Sequence, residues 1–168
     1  MLIKSMKGQS AMEYLMTYGW ALLVIVIVIA VLMFIRPFGA PETCLFQQPG
    51  FSCEGHRMND QGVLFAKFVN GQQKSIKDVK VACVMGSERP ASTFGWTTVT
   101  GVVEHGSALG NLFAKGISCR NPDGGAITVA TGDDFSGRVY IQYKYSDDPS
   151  ESTFPSKTVY ANVIAPVQ

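Results

Sequence analysis

Charge is what this sequence has least of. Charged residues make up 16% of the 168, against roughly 25% in ordinary soluble domains. The 14 Lys+Arg are matched by 13 Asp+Glu, so there is no basic excess to neutralise a phosphate backbone. No nucleic acid is expected as a partner. Part of the deficit is local, since no charged residue falls between Tyr14 and Ile35. Histidine is scarce as well. His56 and His105 lie among glycine and charged residues, outside any H-E-x-x-H spacing, and read as exposed loop residues. The absence of a C-x-x-C pair excludes a zinc ribbon. The absence of G-x-S-x-G, of a P-loop and of a dinucleotide fingerprint removes the common hydrolase and nucleotide readings. No catalytic constellation remains, so an enzyme is the least favoured class, and no cofactor or metal is expected. Asp133-Asp134 and Asp147-Asp148 supply two adjacent carboxylates each, where calcium wants six to eight oxygens. Both read as solvated turns. Asn59, Asn70, Asn111, Asn121 and Asn162 all miss the N-x-[ST] pattern, so no N-linked sugar is expected. The Ser/Thr-rich stretch Ala91–Thr100 reads as strand-forming sequence rather than an O-glycan site.

What is present begins with the uncharged run. Lys4 and Lys7 precede it, a bias that holds the N-terminus in the cytoplasm and sends the rest outward. The run is about 22 residues, or about 33 Å as a helix, enough to cross a hydrocarbon core of about 30 Å. Arg36-Pro37 closes it, because proline cannot continue the backbone bonding. The run exceeds the apolar core of a secretory signal, and no small-x-small cut site follows it. Ala21 to Ile29 has no polar face, so it must be buried all round, in lipid or in a helical bundle. Its β-branched residues give stiff side chains for such packing. A plain signal anchor satisfies these facts too.

The residues Lys7-Gly8-Gln9-Ser10-Ala11-Met12-Glu13-Tyr14 add something an anchor does not need. This segment resembles the class III signal peptide of archaeal type IV pilins, in which cleavage falls before the apolar helix. The resemblance covers about the first 30 residues. It implies a cut between Gly8 and Gln9, and hence three parts: a leader at 1–8, a hydrophobic assembly or transmembrane helix at 9–37, and an extracellular β-rich head at 38–168. It also implies partners: a prepilin peptidase, an assembly ATPase with its membrane platform, and identical subunits in a helical filament. The subunit would sit in the cytoplasmic membrane before assembly and at the cell surface after it, in a filament used for adhesion. An archaellin-like filament subunit and a single-pass membrane-anchored binding domain are the alternatives. The post-cut pattern Q-S-x-x-E-Y is more similar to pilins than to archaellins.

Four residues stand out in the helix as candidate assembly positions. Glu13 is the lone ionisable group beside the apolar run. It is expected either to meet the new α-amino group of Gln9 or to sit at headgroup level, favoured by the helix dipole. Tyr14 and Tyr18, four apart, share a helix face, and Trp20 follows. They serve subunit packing or the aromatic belt of the membrane interface.

Cys44, Cys53, Cys83 and Cys119 all follow the run, an even count that fits an oxidising, external compartment. Three pairings are possible and spacing does not choose between them. A local Cys44–Cys53 staple with a long-range Cys83–Cys119 bridge is the favoured one. Phe38-Gly39-Ala40-Pro41 reads as a hinge, after which runs shorten to strand length. Strands are predicted at Gly62–Val69, Ile76–Met85, Trp96–Glu104, Ala126–Ala130, Arg138–Tyr145 and Lys157–Ile164, with turns at Asn70-Gly71 and Pro122–Gly125. The fold class expected is α+β: a long apolar helix followed by an antiparallel β-sandwich head of Ig-like or pilin type.

Overall fold

The computed structural model describes residues 6–35, 41–91, 94–149 and 154–168. Within the N-terminal helix, side chains are described for residues 12–34. The chain divides into two compact units, Met1–Gly39 and Ala40–Gln168. The hinge at 38–40 and the Arg36-Pro37 stop fall outside the described residues.

The first unit is helix α1, Met6–Ile35, 30 residues long. Its apolar span, Met12–Phe34, covers 23 residues, or about 34 Å of rise. Thr17 returns its hydroxyl to the Glu13 carbonyl at 2.8 Å, which satisfies the one hydroxyl amid this apolar surface.

The second unit is β-rich. Its strands are β1 (Thr43–Phe46), β2 (Phe51–Met58), β3 (Val63–Asn70), β4 (Ile76–Met85), β5 (Thr97–Val99), β6 (Ile117–Arg120), β7 (Asp134–Tyr145) and β8 (Lys157–Pro166). A one-turn helix α2, Leu112–Lys115, precedes β6. The sheet runs β1-β8-β7-β4-β6-β3-β2, with β5 paired to β4. Seven of its pairings are not all of one kind: β4 and β6 are parallel and the others antiparallel.

The antiparallel sandwich expected from the sequence is therefore corrected to one mixed sheet that curls into a nearly closed barrel. The reason lies in β6, which is only four residues long. Its first half, Ile117 and Ser118, pairs with β3. Its second half, Cys119 and Arg120, pairs with β4. A strand that hands over in mid-length joins two groups of strands that would otherwise face each other. The ends of the sheet then meet. Cys44 of β1 is bonded to Cys53 of β2. His56 of β2 bonds the Ile164 carbonyl of β8 at 3.0 Å. Gln168 donates its N–H to the Met58 carbonyl at 3.0 Å.

Inward positions alternate along the long strands and fill the interior. Leu64, Ala66 and Phe68 of β3 face in, as do Phe135, Val139, Ile141 and Tyr143 of β7. In β4 the inward set is Ile76, then Val79, Val81 and Cys83. That change of parity needs an extra residue, and the β4–β7 register slips between Lys77 and Lys80. Asp78 absorbs the bulge at φ 53, a conformation that Asp tolerates better than most. Trp96–Glu104 and Ala126–Ala130 are shorter than predicted: the first keeps only β5 plus a bridge from Val103 to Ile76, the second a single bridge from Ala126 to Arg120.

Candidate assembly helix and the surfaces of the head

Every described side chain of α1 from Met12 to Phe34 is solvent-exposed in the single chain. A helix apolar on all sides has no stable place in water, so this surface awaits lipid or other helices. Gly8 and Gln9, the expected processing pair, lie in the first turns of α1. The α-amino partner expected for Glu13 exists only once that bond is cut. Glu13 itself is exposed. The rings of Tyr14 and Tyr18 lie 4.7 Å apart, centroid to centroid, so the pair forms one aromatic ledge along the helix. Trp20 is exposed two residues on.

The four cysteines form two bridges, Cys44–Cys53 and Cys83–Cys119. Cys83 and Cys119 face each other across the parallel β4–β6 pair. Cys44 and Cys53 span the seam of the barrel. His56 lies within metal-binding reach of their two sulfurs. Those sulfurs are bonded to each other, however, and His56 is engaged with the Ile164 carbonyl. His56 is thus a half-buried strand residue and not the loop residue expected, because β2 carried no clear alternation in the sequence. His105 is exposed in a turn and contacts the Gln72 carbonyl at 2.6 Å. Of the acidic pairs, Asp147 bridges Lys74 at 2.6 Å, and that hydrogen bond holds its carboxyl below the usual range. Asp148 accepts the Tyr145 N–H at 2.9 Å. Both carboxylates of this pair have partners within the turn.

One feature of the head has no counterpart among the predicted site residues. Outward-facing Tyr140 is buried, although its strand neighbours Arg138 and Gln142 remain half-exposed. It packs with Ala82, Val84 and Phe94 in a second, smaller apolar cluster on the outer face, flanked by Trp96 and Tyr160. Ala82 and Val84 are small enough for the segment after β4 to fold back over the sheet. That segment is tied down at two points: the Tyr140 hydroxyl donates to the Glu88 carbonyl at 3.0 Å, and Arg138 donates to the Ser87 carbonyl. Between this segment and strands β7 and β8 runs a groove of about 370 Å³. Alternation in the sequence points to Arg138, Tyr140 and Gln142 as an outward row, but not to what covers them.

No family model matches the chain, and neither a curated protein nor a solved structure shows significant similarity to it.

Proposed function

We propose that the chain is the structural subunit of an archaeal type IV pilus-like surface filament, assembled through its N-terminal helix and used for adhesion. The observation that carries this reading is α1, whose Met12–Phe34 span is apolar, long enough to cross a membrane and exposed on every side. Two features set that helix in the order a filament subunit needs. A short leader ending in Lys7-Gly8 precedes it, so a cut there leaves the apolar helix on the mature chain. A separate unit stapled by two disulfides follows it, suited to the outside of a cell. The monomer would rest in the membrane, then leave it by burying α1 among copies of itself. Head-to-tail contacts that do not close on themselves generate an open filament.

The deciding measurement is the N-terminal mass of chain sheared from the cell surface. A species beginning at Gln9, recovered in filaments, is the expected result. A chain that retains Met1 and stays with the membrane would overturn the filament reading in favour of a single-pass anchored binding domain. Filaments that rotate rather than adhere would place the same helix in an archaellum.

A further inference from the structure

We propose that the outer-face groove of the head is a binding subsite for an acidic saccharide, a sugar ring bearing a carboxylate. The groove combines flat aromatic surface with uncompensated positive charge. Its aromatic members are Trp96, Tyr140 and Tyr160, the last two directly opposite across β7 and β8 with centroids 5.8 Å apart. Its cations are Arg89 and Arg138, and no carboxylate is among its lining residues. Arg138 is held in place rather than neutralised. Its Nε donates to the Asn162 Oδ1 at 3.1 Å, another arm reaches the Ser87 carbonyl, and its Cζ lies 4.9 Å from the centre of the Tyr160 ring. All three partners are uncharged, so the full positive charge remains for a ligand. Arg89 is exposed, and neither its guanidinium nor the Gln142 amide has a hydrogen-bond or ion-pair partner among the described residues.

Each feature matches one part of the ligand. An aromatic face packs on the apolar C–H face of a pyranose. Planar guanidinium and carboxamide groups bond hydroxyl and carboxylate oxygens in pairs. Gln48 is already oriented, because its Oε1 accepts the Tyr160 N–H at 3.1 Å and leaves its amide N–H groups to donate elsewhere. A purely apolar ligand would leave two arginines desolvated and unpaired, which is costly. A neutral sugar would use the aromatics but not the charge. The open, shallow form of the groove suits one or two rings of a longer chain, as on a cell-surface polysaccharide.

The test is calorimetric titration of the detergent-solubilised full chain with hexagalacturonate, and with maltohexaose as the neutral counterpart. Saturable binding of hexagalacturonate, at least tenfold tighter than maltohexaose, is expected. Arg89→Gln should weaken it about tenfold, as should Trp96→Ala, while Lys115→Gln, outside the groove, should leave it unchanged. Arg89 is exposed, so its variant keeps the test decisive even if Trp96→Ala disturbs the segment around it. Absence of saturable binding, equal affinity for maltohexaose, or full retention in Arg89→Gln would overturn the proposal. Filament assembly is read separately from the N-terminal mass, so failure here leaves the filament reading standing, and the reverse.

Discussion

The carboxamide of Asn70 ties together segments far apart in the chain. It is the one fully buried polar side chain among the described residues. Its Nδ2 reaches the carbonyls of Lys74, Val103 and Glu104 at 3.1, 3.2 and 3.3 Å, and its Oδ1 accepts the Gln72 N–H at 3.0 Å. Truncation would strand buried carbonyls, each worth about 1–3 kcal/mol. Asn70→Ala should therefore lower the unfolding free energy of the head by about 2–4 kcal/mol, measurable by denaturant titration; a loss under half a kcal/mol would refute the role. Tyr143 gives a residue-scale pH dependence. Burial, then the neighbouring Tyr145, pushes its phenol up to about 12 from a model value of 10.0. The folded state thus prefers the neutral phenol. That stability is fully present below pH 10.0 and is lost as pH rises towards about 12. Tyr143→Phe should flatten this alkaline fall in thermal melts, with a small cost at neutral pH from the lost Gln72 contact at 3.3 Å. An unchanged slope would assign the fall to other groups.

At the scale of elements, the seam between β1 and β2 governs whether the barrel stays closed. Beneath the Cys44–Cys53 bridge, Phe46 of β1 packs on Phe51 of β2 and Phe68 of β3, each pair at 5.7 Å. Phe51 in turn meets Tyr143 at 5.2 Å. The bridge and this aromatic cluster hold together two strands that share no ladder in the sheet order. Replacing both Cys44 and Cys53 by Ser should cost about 2–4 kcal/mol. It should also leave the edges of β1 and β2 able to pair with other chains, which light scattering would register as concentration-dependent association. A destabilised variant that stays monomeric at all concentrations would show that the aromatic cluster closes the seam unaided. Removing Cys83 and Cys119 should destabilise without that association, because β4 and β6 are interior strands of the sheet.

For the whole molecule, the two units have opposite solvent requirements. The head buries its apolar residues within itself. Helix α1 exposes its own from Met12 to Phe34 and depends on other molecules to cover them. An ionisable group next to such a surface is favoured only where it finds a partner. Glu13→Gln should therefore reduce sheared filament yield severalfold while leaving cleavage at Gly8 unchanged, read by the same N-terminal mass. Filament yield equal to the natural chain would remove Glu13 from assembly. Loss of cleavage would instead place it in peptidase recognition.

The sequence by itself determined the helix, the two-part organisation and the inward faces of β3, β4 and β7. Each follows from local physics: twenty-odd consecutive apolar residues admit only a buried helix, and alternation fixes which side of a strand faces in. The prediction of Ile76–Met85 matched β4 end to end because Ile76, Val79, Val81 and Cys83 carry the pattern plainly. The sequence gave weaker signals for β1, β2 and β6, which are short, glycine-interrupted or polar, and these were not predicted. Only the tertiary structure decided which strands are neighbours. Asn70-Gly71 marks a turn, yet the strands it connects are separated by β6. Closure of the barrel, the place of each disulfide within it and the groove over Tyr140 depend on contacts between residues tens of positions apart. Such contacts are fixed by which surfaces meet in space, a property that no local stretch of sequence encodes.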